Sequence, residues 1–243
     1  MRQVIVITGA SSGIGRASAL RFAAPQTALV LCARQGAEAL CAAAESARQA
    51  GSEVLTLQGD VADPDFDTRL IAETVSRFGR IDLLVNNAGI SEIGLLQDMT
   101  RSSLERMLQV DLHAVIRICQ AAVPVFVRQQ SGRILNVSSV WGNVGASCET
   151  VYSAAKGGVN SFTRALAKEL APSGIAVNAA AFGAIDTRMN RQELRPEDLA
   201  SLAEEIPAGR LGTPDEAAEL IWLLARAPLY LTGQVITMDG GWT

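Results

Sequence analysis

Tyr152 and Lys156 stand four residues apart in YSAAK, directly ahead of an alanine-rich stretch of helical character. Four residues is about one helical turn, so a phenol and an ammonium would share a face within reach of one substrate. A phenol ordinarily titrates near about 10 and exchanges protons poorly at neutral pH, whereas an adjacent ammonium favours its ionised form. The pair therefore suits general acid chemistry. Other chemistries lack their residues. The one histidine, His113, lies in the apolar segment VDLHAVIRICQAAVPVF and no G-x-S-x-G accompanies it, which argues against a Ser-His-Asp hydrolase and a histidine-rich metal site. His113 reads as a helix-packing residue. Cys32, Cys41, Cys119 and Cys148 are widely spaced and form no C-x-x-C, so neither a zinc site nor a disulfide scaffold is expected.

The elements that must position the pair follow from hydrophobic patterning. Short β-branched runs, VIVIT (4–8), ALVLCA (28–33), EVLTLQ (53–58), IDLLVN (81–86), RILNVS (133–138), IAVNAAA (175–181) and QVITMD (234–239), alternate with helix-length stretches rich in Ala, Leu, Glu and Arg. Strands that are apolar nearly throughout belong in a parallel sheet covered on both faces by crossover helices. The expected fold is α/β, a doubly wound, seven-stranded parallel Rossmann sheet with helices on both faces, as one domain over 1–243. Its 243 residues are 49% hydrophobic, enough for a sizeable core, and the net charge of −4 advertises neither nucleic acid nor an anionic membrane as partner. The opening MRQVIVITGASSG is too short an apolar run for a signal peptide or a membrane span, so a cytoplasmic protein is expected.

TGASSGIG (8–15) follows the first strand and opens a helix, the context in which a glycine pattern carries meaning. Gly9 permits a tight turn, Gly13 lets backbone approach a pyrophosphate, and Gly15 lets the helix pack close, its N-terminus facing the phosphates.

The G-x-x-x-G-x-G spacing resembles the short-chain dehydrogenase/reductase family. GDV (59–61), NNAG (86–89), a serine at 139, Y-x-x-x-K (152–156) and MDGG (238–241) repeat the resemblance in the family's order over essentially the whole chain. The resemblance implies a nicotinamide dinucleotide bound by a loop of Gly9, Ser11, Ser12, Gly13, Ile14 and Gly15. It also implies that Asp60 and Val61 bracket the adenine and that Asn87, Ala88 and Gly89 pass under its ribose. Gly183, Ile185 and Thr187 would run along the nicotinamide. In this family the end of the second strand selects the cofactor; CAR places Ala33 and Arg34 there, and a guanidinium binds phosphate, so NADP(H) is expected over NAD(H). Tyr152 would be the general acid in ketone reduction. Lys156 would lower its pKa and bond the nicotinamide ribose, and Ser139, thirteen residues before Tyr152, would hold the substrate oxygen. Ser138 would face the other way. No metal is implied.

Two positions depart from the family's pattern. VDL places Asp111 where many relatives carry asparagine, beside the lysine's proton path, and an altered pH dependence is expected. AFG places Phe182 where proline is usual, a change that either alters ring packing or substrate entry or is tolerated. Residues 188–206 read as a charged helical lid whose Arg188, Arg191 and Arg195 suit an acidic carrier. Thr213, Pro214 and Glu216 read as a capping box opening the next helix. The whole resembles the 3-oxoacyl-acyl-carrier-protein reductases. WGNVGASCETVYSAAKG with the ending GQVITMDGGW resembles, more narrowly, a bacterial subgroup that reduces a 5-aminopentanoyl modification on elongation factor P, and Glu149, Glu193, Glu197 and Asp198 suit a cationic amine. A nucleotide-binding relative without turnover is the third reading. The substrate would be a small-molecule or carrier-bound ketone, and the assembly a homo-oligomer, a dimer or tetramer.

Overall fold

The computed structural model describes residues 2–193 and 195–243; residue 194, inside the expected lid, lies outside them, as do the side chains of residues 192, 193 and 196. Among the described residues, β1 (Gln3–Thr8), β2 (Thr27–Ala33), β3 (Glu53–Gln58), β4 (Leu83–Asn86), β5 (Gly132–Ser139), β6 (Ile175–Phe182) and β7 (Val235–Met238) form one sheet. Its order is β3-β2-β1-β4-β5-β6-β7, and every pairing is parallel. The doubly wound parallel fold read from the alternating pattern is the fold observed.

The strands are apolar on both sides because helices cover both sides. α3 (Phe66–Phe78), α5 (Ala114–Gln129) and α7 (Thr150–Leu170) pack on one face, where Val6, Val30, Leu84 and Ile134 point. α1 (Gly13–Phe22), α2 (Ala37–Gln49) and α10 (Pro214–Leu224) pack on the other, against the alternate residues Ile5, Ile7, Leu29 and Leu31. The period of two thus feeds two separate cores. α4 (Arg101–Leu108) precedes α5, α6 (Trp141–Val144) precedes α7, and α8 (Arg188–Glu193) and α9 (Pro196–Glu205) lie between β6 and α10. Thr213 and Glu216 cap α10 reciprocally, with Pro214 in its first turn, as the sequence pattern predicts.

α4 and α5 are joined by a π-helical turn, Gln109–His113, within a continuous helical stretch Arg101–Gln129 that is long and apolar enough to cross a membrane by composition, with half of the relevant window buried. That burial is against the sheet. The extra residue in the π turn aims Val110 and Asp111 inward and leaves His113 exposed, which corrects the expectation that His113 packs inside the helix layer.

β1 pairs with β2 on one side and with β4 on the other, so the chain winds away in opposite directions from the carboxyl ends of β1 and β4. A crevice opens at such a switch point, because successive connections depart to opposite sides of the sheet.

Candidate active site

A cavity of about 890 Å³ occupies that crevice. Its floor is the turn from β1 into α1. Gly9 and Gly13 there have φ of +67° and +52°, a left-handed backbone that side chains resist. A Cβ at Gly15 would strike the Gly9 carbonyl and the Asn87 amide, so glycine is required for the helix to seat against the loop. Ser12 caps α1 without a side-chain hydrogen bond, and no acidic residue stands in the first turn, which leaves the helix N-terminus suited to an anion. Thr8 braces this floor: its hydroxyl accepts from the Asn87 and Ala88 N–H groups, both at 2.9 Å, and its carbonyl accepts from Asn87 Nδ2 at 2.8 Å. Asn87 therefore serves the loop with its side chain, although Asn87, Ala88 and Gly89 all border the cavity as expected.

At one end of the cavity lie Ser11, Arg34, Asp60 and Val61. Asp60 is ionised: burial opposes this, but the Ala62 N–H and the Arg106 guanidinium hold its carboxyl below the usual range. Arg106 donates to both Asp60 oxygens, at 3.0 and 2.7 Å, while Arg34 Nη1 comes no nearer than 3.8 Å. At the other end Gly183, Ile185 and Thr187 follow β6. The loop is pinned by the Gly183 N–H on the Met238 carbonyl and by the Ile185–Gly212 bridge, and a Cβ at Gly13 would lie 3.3 Å from Thr187. The walls from both ends of the chain thus meet over the glycine turn. Phe182 completes β6 and is buried among the side chains of the α1 and α10 layer while bordering the cavity.

Ser139, Tyr152 and Lys156 converge on this cavity from β5 and α7. β5 extends to Ser139, and the alternation along it turns Ser138 away to donate to Asn160 Oδ1 at 2.6 Å. Tyr152 and Lys156 lie one turn apart on α7, with Lys156 Nζ 5.5 Å from the centre of the phenol ring. Behind Lys156, outside the cavity wall, sits Asp111. Its carboxylate lies 3.2 Å from Lys156 Nζ and accepts from the Ile90 N–H, and Lys156 also donates to the Val137 carbonyl at 3.3 Å. Both side chains are buried. Room for the carboxylate exists only because residue 89 is glycine: a Cβ there would stand 2.7 Å from Asp111 Oδ1.

Burial alone favours neutral Lys156, but the Asp111 carboxylate outweighs it and holds the ammonium charged beyond its ordinary range. Asp111 in turn is pushed up by burial, against the pull of Lys156. The phenol departs from expectation. Tyr152 is half-buried by exposure, with its open side on the cavity, yet burial pushes it above its ordinary value; Lys156 pulls it down, Asp111 and Glu149 push it up, and the Ser139 hydroxyl pulls it down. Lys156 acts in the expected direction and is outweighed by burial, to which the Asp111 and Glu149 carboxylates add.

Glu149 precedes α7 and is held by Trp141 Nε1 and Ser91 Oγ, each donating at 3.0 Å. Trp141 meets Trp242 edge-on at 4.7 Å between centroids, and all three border the cavity. Trp242 is fixed because Asp239 accepts from the Gly241 and Thr243 N–H groups, each at 2.9 Å. From the stretch 188–206, Arg188, Met189, Ser201, Leu202 and Glu205 reach the cavity. Arg191 is paired with Asp186 at 2.7 Å and Arg195 with Asp198 at 2.9 Å, so only Arg188 of the three lid arginines borders the cavity. Arg106, Trp141 and Trp242 were not named as site residues: Arg106 reaches the cavity from α4, which carries no motif, and the two tryptophans lie beside motifs whose spacing assigns them no role.

A family model described as short chain dehydrogenase matches residues 3–198. The chain belongs to the short-chain dehydrogenase/reductase family. Within it, the chain is 41% identical over 241 residues to the 3-oxoacyl-[acyl-carrier-protein] reductase of Thermotoga maritima, spanning 98% of this chain and 97% of the relative. It is also 40% identical to an uncharacterized oxidoreductase of Bacillus subtilis, spanning 100% and 99% of the two chains. The crystal structure of levodione reductase superposes with a TM-score of 0.92 at 34% identity, spanning 98% of this chain and 96% of that one. This protein is therefore an oxidoreductase that resembles the 3-oxoacyl-acyl-carrier-protein reductases.

Proposed function

We propose that the chain is an NADPH-dependent ketone reductase. The observation that carries this reading is the convergence of Ser139, Tyr152 and Lys156 on one cavity that continues over the glycine turn to Arg34. The residues suit a dinucleotide: the left-handed glycines and the uncapped α1 N-terminus accept a pyrophosphate, and Arg34 suits a 2′-phosphate. When bound, a nicotinamide dinucleotide supplies the hydride and, once oxidised, a positive ring in the site. Tyr152 donates its proton to the substrate oxygen as the alkoxide forms. Ser139 holds that oxygen with its hydroxyl. Lys156 bonds the nicotinamide ribose and keeps a positive charge beside the phenol, and Asp111 keeps Lys156 charged. A phenol held above its ordinary value is protonated at neutral pH, the form that can donate to the substrate oxygen. Asp60, Val61, Asn87, Ala88 and Gly89 receive the adenosine half, and Gly183, Ile185 and Thr187 the nicotinamide half.

The substrate in this reading is a carrier-bound 3-oxoacyl thioester, the class named for the Synechocystis and Thermotoga relatives. Glu149 favours a second substrate class, a ketone bearing an amine, such as the 5-aminopentanone on modified elongation factor P: a carboxylate beside two indoles suits an ammonium. The chain forms a single cytoplasmic domain with 188–206 as substrate lid, and exposed Ile116 and Val127 on α5 support a homo-oligomer. The test is titration with NADPH and NADH, followed by NADPH oxidation with acetoacetyl thioesters and amino-ketones. Tighter NADPH binding with thioester turnover is expected; turnover of amino-ketones alone would select the second class, and binding without turnover of any ketone would overturn the reductase reading.

A further inference from the structure

The cavity end that Arg34 occupies carries an acid as well. Asp60 stands beside it, ionised, at the end of β3. Left to itself, that carboxylate would do two things against a 2′-phosphate: repel its charge, and draw Arg34 into an ion pair. Neither oxygen is left to itself. Oδ1 accepts from the Ala62 N–H at 2.9 Å and from Arg106 at 3.0 Å, and Oδ2 accepts from Arg106 at 2.7 Å. Arg34 keeps a looser ion pair with Asp60 at 3.8 Å, beyond hydrogen-bonding distance, so its N–H donors are not committed to that carboxylate.

Arg106 comes from α4, 46 residues away from Asp60 in sequence. Its helix begins at the Thr100 cap, where the Ser103 N–H donates to Thr100 Oγ1 at 3.1 Å, and runs into the π turn that carries Asp111. Two guanidiniums against one carboxylate leave this end of the cavity with a net positive charge, and the geometry assigns the neutralising share to Arg106.

We propose that Arg106 is a specificity-determining positioning residue: by satisfying Asp60 it leaves Arg34 available to the 2′-phosphate of NADPH. The proposal rests on the NADPH reading above. Arg106 acts through Asp60, so its loss should weaken phosphate-bearing ligands selectively, and removing the Asp60 charge should undo that loss.

The experiment is isothermal titration of wild type, R106Q, D60N and the R106Q/D60N double variant with NADPH, NADH, 2′,5′-ADP and 5′-ADP, with no turnover required. Wild type should prefer NADPH and 2′,5′-ADP. In R106Q the ratio of NADPH to NADH affinity should fall about tenfold or more, with the same change in the ratio of 2′,5′-ADP to 5′-ADP, as expected for losing one charge-assisted pair. The double variant should regain most of the wild-type ratio, whatever either substitution does to the adenine pocket, because that effect is common to both ligands. Equal losses for NADPH and NADH in R106Q, or a double variant with the same ratio as R106Q, would overturn the role of Arg106 while leaving the NADPH reading intact. Absence of any NADPH preference in wild type would overturn both.

Discussion

Replacing Asp111 by asparagine removes one charge from the Lys156 pair and little else, since the amide oxygen can still accept from the Ile90 N–H. At 3.2 Å between Lys156 Nζ and Asp111 Oδ1, Coulomb attraction at an effective dielectric of about 20 comes to about 5 kcal/mol. That attraction is what holds Lys156 charged against burial. Burial would then act on the ammonium with only Tyr152 against it and drive it toward neutrality. For the alkaline limb of the activity, two consequences have the same sign. While Lys156 stays charged, losing Asp111 removes a group that pushes the phenol up; once Lys156 is neutral, the ammonium needed beside the phenol is gone. Both move the alkaline limb of ketone reduction to lower pH. A displacement of that limb to lower pH is therefore expected. The assay is a pH–rate profile of kcat and kcat/KM for NADPH-driven reduction, with NADPH Kd titrated in parallel at each pH to separate binding from proton transfer. An alkaline limb that stays in place or moves upward while Kd is unchanged would refute the reasoning and reduce Asp111 to a helix residue.

Tyr152→Phe should lower kcat by about 10² to 10⁴, the usual worth of a positioned general acid, while NADPH binding by titration stays within a few-fold of wild type; near-normal turnover would remove Tyr152 from the proton path. Arg34→Asp should invert the cofactor preference, read as the ratio of NADPH to NADH affinities, because a carboxylate accepts from a ribose hydroxyl and repels a phosphate; a retained preference for NADPH would place the phosphate elsewhere. Thr213→Ala should cost α10 about 1 kcal/mol and lower Tm by about 2 to 4 °C, measured calorimetrically. Glu216, the other half of that box, has its carboxyl held down to about 2 by Arg210 and Thr213. Its contribution is therefore present above its ordinary pKa and fades as pH falls toward about 2, so the Thr213→Ala difference should shrink in acid.

What the sequence determined by itself is what local rules encode. Apolar runs alternating with helical stretches dictate a parallel sheet covered twice, because only that arrangement buries strands such as TALVLCA on both faces. Three glycines at a strand-helix junction dictate a turn that no side chain could enter, and an i, i+4 spacing puts Tyr152 and Lys156 on one face of α7. Ser139 was chosen over Ser138 on the thirteen-residue separation that the family resemblance supplies, and alternation along β5 turns Ser138 toward Asn160. The tertiary structure decided everything that depends on which distant elements meet. The order of the strands and the π turn bring Asp111 to Lys156, 45 residues on, and α4 brings Arg106 to Asp60. The same turn put His113 outside. No periodicity records such contacts, because they are set by crossover connections and not by spacing along one element. The Tyr152 phenol shows why this matters for chemistry: its neighbour four residues away acts as local reasoning expects, and burial, with Asp111 from another element and the nearby Glu149, outweighs it. A proton's affinity sums charges in space, and the chain brings those charges together only when it folds.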